Sequence, residues 1–324
     1  MNKTDKHLFQ STRTFMEENI SKSWLLTLST FCLFGIAITI ILLDLHWSIN
    51  AVASICTGLL YVRLFVIYHD YLHGTILKKS KIAKAMFTVF GYYMLTPKEI
   101  WRKSHNFHHR YFSRVAQNGI GSYPLVTKQR FETFDKKEQR KYLFSRHPLV
   151  ILFGYYFTFL YGMCLQSLRI SFSKHKESAV ALLFHITIHG AVLYFFGWQT
   201  FIWASLIPNL MYGAIGAYLF YAQHNFPEVN YNIAGDELTE VSALQSSSFL
   251  KTTKVGHWIT GNIGFHHIHH ANVGIPFYRL PEVMNHVSEL QNPKTTSFRL
   301  KDIYACLQLK YWDTELNKMV RLNT

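Results

Sequence analysis

WSINAVASICTGLLYVRLFVIY, residues 47–68, runs without a break into HDYLH, residues 69–73. The first part is an apolar run of about the length that crosses a bilayer. Its one cation, Arg63, lies close enough to the end of the run to snorkel toward water. The second part places His69 and His73 at i and i+4, so on a helix both imidazoles leave the same face.

Two further clusters share the pattern H-x-x-H-H: His105, His108 and His109 in HNFHH, and His266, His269 and His270 in HHIHH. The spacing i, i+3, i+4 again forms one stripe of a helix, and His267 falls off it. Each box thus aims two or three nitrogen ligands at one place. Imidazole suits iron, zinc, copper or nickel, and no box holds a thiolate that would favour a structural zinc site. Eight such ligands exceed what one six-coordinate ion uses, so two metals are the simpler expectation. A solvated basic loop explains one stray histidine but not three spaced clusters.

The composition says where this centre works. Of 324 residues, 49% are hydrophobic and only 16% are charged, against about 25% in soluble proteins. The apolar residues gather into blocks at 24–43, 47–68, 178–197 and 200–221. Trp198-Gln199 forms a short turn between the last two. These predict an all-α, polytopic integral membrane protein of four spans, its cap built from 69–177 and 222–324 as one domain. The net charge of +14 concentrates in Lys78–Lys84, Lys98–Arg114, Lys136–Arg146 and Arg169–Lys176, which the positive-inside rule places in the cytoplasm. The turns at Asp44–Trp47 and Gly197–Gln199 carry no lysine or arginine and fall outside. Ala85–Pro97 and Pro148–Leu165 each lie between two basic segments, so they are expected to dip into the membrane or lie on its surface. All three boxes then face the cytoplasm.

The polar N-terminal stretch Met1–Ser23 reads as the flank of a retained first span, not as a cleaved signal. Glu228–Ser248, with Asp236, Glu237 and Glu240, reads as a loop beside the site. Pro281–Thr324 suits an interfacial amphipathic helix, with Ile303, Leu307, Leu309 and Trp312 on one side. Cys32, Cys56, Cys164 and Cys306 form no C-x-x-C and read as small buried hydrophobes. No G-x-G-x-x-G is present, so a nucleotide or flavin site is not expected, and nothing points to nucleic acid.

The boxes HDYLHG, WRKSHNFHHR and GNIGFHHIHH, with YAQHNF between and IPFYRLPE after, resemble the membrane-bound fatty acid desaturase superfamily. The likeness runs from about Tyr61 to Glu282. It is greatest to the acyl-lipid branch, whose first box has three residues between its histidines. The resemblance implies a di-iron centre held by His69, His73, His105, His108, His109, His224, His266, His269 and His270, His224 being the one ligand outside the boxes. It also implies a fatty acyl lipid substrate, O2 as co-substrate, and two electrons from a separate ferredoxin- or cytochrome-type donor. Asp70, beside the first of these histidines, is positioned to accept the N–H of a neighbouring imidazole.

Tyr92, Tyr93, Trp101, Phe107 and Phe265 are aromatic candidates for the wall of an acyl tunnel. His185 and His189 repeat the H-x3-H spacing inside a predicted span and are expected to form a hydrogen-bonded interhelical pair; His257 is expected at the interface. Related hydroxylases and ketolases of alkyl or carotenoid chains are the enzymatic alternatives. Carotenoid enzymes typically carry an acidic residue in the third box, which HHIHH lacks. Alkane hydroxylases set glutamate beside the histidine of a fourth motif, where this chain has Gln223-His224-Asn225. A histidine-rich metal-binding or transport protein would need its ligands inside the spans.

Overall fold

The computed structural model describes residues 3–115, 123–232 and 242–322; the acidic residues Asp236, Glu237 and Glu240 lie outside these. The described chain is predominantly helical. Helix α1 (Lys3–Ser11) precedes α2 (Ile20–Leu42), whose N-terminus is capped by Asn19 accepting from the Lys22 amide at 2.9 Å. Then come α3 (Trp47–His73), α4 (Lys81–Tyr93), α5 (Lys98–Tyr111) and α6 (Lys136–Ser145). The segment Lys176–Ala222 contains α7 (Lys176–Phe201), a wide turn, and α8 (Ile207–Ala222).

Among the described residues three helices are long and apolar enough to cross a membrane: α2, α3 and the 47-residue Lys176–Ala222. The third is not straight. Gly197 takes φ +79°, a backbone angle glycine reaches without a Cβ clash, and the chain doubles back there. Asn209 Nδ2 lies 3.3 Å from His189 Nε2, although a straight helix would separate them by roughly 30 Å at its usual rise. Lys176–Ala222 is therefore a helical hairpin, broken within the predicted connection. Ile41, Ala53 and Ala204 pack together with Val192 at the end that holds both short turns.

Helix α2 is sorted inside out relative to a helix of a water-soluble protein. On α2 the buried face is Ser23, Thr27, Thr30, Ala37 and Ile41, while Leu25, Leu28, Leu33 and Ile36 are exposed. Small and hydroxylated residues between helices, with large apolar ones outward, suit packing in lipid. Thr27 and Thr30 satisfy their hydroxyls on backbone carbonyls one turn back, at 2.7 and 2.6 Å. Cys32 and Cys56 lie on such outward faces, so the expectation that all four cysteines are buried holds only for Cys164 and Cys306. An apolar surrounding removes the need to bury a thiol.

Arg63 departs from the snorkelling expectation. It is buried, donating to Thr30 Oγ1 at 3.1 Å and to the Trp258 carbonyl, with its guanidinium over the Trp258 ring. The partners come to the charge.

Helices α3 and α8 run parallel, with Gly58 against Met211 and Phe65 against Phe220, so both deliver their last residues to one end of the bundle. Tyr155–Leu165, part of the second surface-seeking stretch, packs on α8 through a backbone contact. A Cβ on Gly213 would lie 2.3 Å from the Tyr155 amide nitrogen. Its neighbours Leu149, Leu152, Phe153 and Tyr156 are exposed and apolar.

The C-terminal region corrects another expectation. His266–Ala271 forms α9 and Leu300–Gln308 forms α10. Two short strands, β1 (Phe249–Lys251) and β2 (Thr295–Ser297), pair in parallel, and β3 (Leu309–Asp313) pairs with β4 (Lys318–Arg321) as an antiparallel hairpin. Leu309 and Trp312 thus lie on a strand, not on the predicted amphipathic helix. Trp312 is fully buried, and burial of a β-prone Tyr-Trp pair outweighs a weak helical period.

Candidate metal centre

Three helices and one helix end converge at the closed end of the bundle. Helix α3 ends in His69 and His73, α5 carries His105, His108 and His109, α9 carries His266, His269 and His270, and His224 follows α8. The nine histidines separate into two groups. His69, His73, His105, His109 and His269 form one; His108, His224, His266 and His270 form the other. Within each group the candidate donor atoms all lie within 4.8 Å of one another.

The partition follows from helix geometry. At 3.6 residues per turn, i and i+4 point roughly 40° apart, while i+3 lies about 60° to the other side of i. In α5 the i, i+4 pair His105 and His109 joins the first group and the i+3 residue His108 the second. In α9 the pair His266 and His270 joins the second group and His269 the first. Each helix lies between two sites and serves both.

The donor atoms suit cations. In the first group Nε2 of His105 is 2.9 Å from Nε2 of both His69 and His109, and His269 Nε2 is 3.1 Å from His109 Nε2. In the second, Nε2 of His266 is 2.9 Å from that of His224 and 3.0 Å from that of His270, which lies 3.3 Å from His108 Nε2. An imidazole nitrogen carries one lone pair or one proton, so it cannot bond well to two such neighbours. Metal–nitrogen bonds of about 2.1 Å, as for zinc, place adjacent ligands roughly 3 Å apart. His73 Nε2 is buried with no hydrogen-bond partner in the first group, a further donor atom for an ion to satisfy.

The opposite ring nitrogens fix some of the tautomers. His69 Nδ1 lies 3.0 Å from Asp70 Oδ1, and His224 Nδ1 lies 2.9 Å from the Ser246 carbonyl. Since these oxygens accept, each Nδ1 carries the proton and Nε2 keeps its lone pair for a metal. Burial, reinforced by neighbouring imidazoles, holds His105, His108, His109, His266, His269 and His270 well below the usual histidine pKa. Burial lowers His224 to about 4, against a raising effect from the Ser246 carbonyl. Neutral imidazole is the ligating form.

Four further histidines singled out in the sequence have other partners. His267 Nε2 lies 3.2 Å from the Leu290 carbonyl, and His257 stacks on Phe249. His185 bonds to the Tyr93 carbonyl at 2.6 Å and the Tyr155 hydroxyl at 2.7 Å, and His189 approaches Asn209. They tie neighbouring helices together, away from both groups.

Among the described residues, two cavities touch the centre. One of about 110 Å³ is walled by Trp101, Phe107, His108, Phe159, His224 and Arg146, among others. A smaller one of about 30 Å³ lies on the α3 and α8 side, against His69, His105 and His266, with Phe65 and Tyr212. Of the aromatic candidates, Trp101 and Phe107 line the first cavity. Tyr93 faces an apolar groove with Phe31 and Phe34, Tyr92 packs as a half-buried member of the main core, and Phe265 packs on Phe249 and His257. Arg146 escaped the sequence reading, which counted it in a solvated basic segment. The available signal was its i+4 spacing from Tyr142, the buried residue of α6.

Comparison with known proteins bears on this geometry. The fatty acid desaturase family profile matches residues 45–299. The chain is 27% identical over 319 residues, 97% of its length, to a fatty acid desaturase of Bacillus subtilis (strain 168), covering 90% of that protein. It is 21% identical to the sn-1 oleoyl-lipid 12-desaturase of Anabaena variabilis, over 84% of this chain and 78% of that one. It is 22% identical to the sn-1 acyl-lipid omega-3 desaturase (ferredoxin) of Nostoc sp. (strain 36), over 82% and 74%. The match spans every histidine of both groups, and this chain belongs to the fatty acid desaturase family.

Proposed function

We propose that this protein is a membrane desaturase that introduces a cis double bond into a lipid-linked acyl chain. The observation that carries the proposal is the partition of nine neutral, converging imidazoles into two adjacent groups of metal-binding size. His69, His73, His105, His109 and His269 would hold one iron, and His108, His224, His266 and His270 the other. An iron pair so held supplies an oxidant made from O2 and two electrons, strong enough to remove hydrogen from unactivated methylenes. The balance is one –CH2–CH2– unit, O2, two electrons and two protons giving –CH=CH– and two waters.

The protein's share is position. Asp70 orients the His69 ring, and its other oxygen accepts from the Phe277 amide at 2.6 Å. Trp101 stacks on His105 with ring centres 4.2 Å apart, closing one side of the site. Apolar walls from Phe65, Tyr212 and Phe220 at the smaller cavity exclude water and hold methylenes beside the two groups.

In this reading α2, α3 and the two limbs of Lys176–Ala222 are four spans, and the histidines face the cytoplasm. The positive-inside distribution and the location at the far end of both turns that lack lysine and arginine support that topology. The electrons come from a separate carrier, for which one relative's name specifies ferredoxin. Expression in a host lacking such enzymes, followed by fatty acid profiling with double-bond localisation, tests the proposal. A new cis-unsaturated acyl species that disappears in the His108→Ala variant is expected; a hydroxylated product in its place would overturn it.

A further inference from the structure

Arg146 carries a buried charge that the metal centre does not explain. It caps the C-terminus of α6 and is 2% exposed. Its guanidinium donates to the Pro124 carbonyl at 2.6 Å, to Asn225 Oδ1, and to the Leu309 carbonyl at 3.4 Å. Its Nε is buried with no partner, and the group lies over the Tyr221 and Tyr142 rings at 4.9 and 5.8 Å. No described carboxylate comes within ion-pair distance of it. A charge of the same sign lies close by: the Lys310 ammonium donates to the backbone carbonyl of Arg146 itself, at 2.9 Å.

A guanidinium stays protonated, and a buried charge without a counter-ion is costly. Neutral carbonyls, ring faces and the carbonyl end of α6 offset part of that cost and supply no negative charge. Arg146 also lines the cavity of about 110 Å³ whose wall includes His105, His108 and His224. Exposed Arg114 lines the same cavity. Phe220 and His105 separate it from the small apolar cavity between the histidine groups, since both residues wall both spaces. A cavity holding two arginines thus adjoins, across Phe220 and the ligand His105, an apolar one.

We propose that Arg146 is the head-group anchor of the substrate, binding the oxyanion at the head of an acyl chain while the methylenes extend past Phe220. The oxyanion is a phosphodiester of a glycerolipid or the carboxylate of a free acid, two sources of one chemistry. The unpartnered Nε–H of the guanidinium is free to donate to either, with charge assistance. The inference rests on the proposed acyl substrate and names what selects it.

Binding tests it without turnover. The full-length, metal-loaded protein in neutral detergent is titrated with dodecyl phosphate, dodecanoate and dodecanol. At least one anion should bind ten-fold or more tighter than the alcohol. The preference should vanish in Arg146→Gln with metal content and helicity retained, return in part in Arg146→Lys, and persist in Lys84→Gln, at an exposed position of α4 outside the cavity lining. Tighter binding of the phosphate identifies a phospholipid source, and tighter binding of the carboxylate a free acid. Equal binding of alcohol and anions to the unaltered protein overturns the proposal, and that comparison stands even where Arg146→Gln fails to fold. So does loss of the preference in Lys84→Gln, which would assign it to diffuse surface charge. Anion binding in a protein that never desaturates would overturn the functional proposal alone.

Discussion

Asp70 holds His69 from behind: its Oδ1 lies 3.0 Å from Nδ1 of the ring, and its Oδ2 accepts from the Phe277 amide at 2.6 Å. One carboxylate therefore joins the end of α3 to the Pro276–Phe277 turn and fixes the direction of a donor nitrogen. Such partners typically contribute about 10–100-fold in metal affinity. Asp70→Ala is expected to lower affinity for cobalt(II), used as a spectroscopic probe, by that amount in chelator competition. Unchanged affinity would show that His69 is held by packing alone.

The two-group partition makes separate demands on each metal. His73→Ala breaks the first group and His224→Ala the second, so each should abolish desaturation and lower bound iron toward one per chain. His185→Ala and His257→Ala, outside both groups, should retain measurable activity. Full activity in His224→Ala combined with iron loss in His185→Ala would reverse the assignment.

Burial has a consequence for protons. Free imidazoles titrate near 6.5, so nine of them at pH 6 would release about seven protons on metal uptake. In the folded protein His105, His109, His266 and His270 are held well below that value, and His224 near 4. Their pKa is depressed, so the neutral form persists as pH falls below 6.5 and is lost only near the lower folded values. Calorimetry of cobalt(II) binding to the apoprotein at pH 6, in buffers of different ionisation enthalpy, should detect fewer than two protons released. A release near seven would falsify the closed, neutral site.

Topology is testable on a cysteine-free background. Leu45→Cys and Gln199→Cys, both at exposed positions, should react with an impermeant thiol reagent from outside intact cells. Lys137→Cys, exposed on α6, should react only after lysis. External labelling at residue 137 would exclude the four-span arrangement with a cytoplasmic centre.

The carrier needs a place to dock. Lys136, Lys137, Arg140 and Lys141 are all exposed on α6 and would attract an acidic ferredoxin- or cytochrome-type protein. Reversing the four charges should slow reduction by the carrier about ten-fold at low salt. Added salt should slow the unaltered protein and leave the variant unchanged. If the segment serves only to bind anionic lipid, correctly inserted variant protein will be reduced at the normal, salt-independent rate.

Local periodicity settled much of this protein in advance. Apolar length located the helices long and apolar enough to cross a membrane, and i, i+4 spacing identified pairs of imidazoles that share a face, because both are properties of a single helix. It also marked the hairpin between residues 197 and 200, where a glycine sits between two apolar runs. What the sequence could not assign was the partner of each face. His108 leaves its box neighbours to join His224, and His269 crosses to His69, because those memberships depend on how α5 and α9 insert between two sites. The same limit hid Arg146 among solvated cations and Arg63 among snorkelling ones. Each is buried by segments more than 75 residues away in the chain, and only the packed tertiary structure brings Asn225 to one and Trp258 to the other.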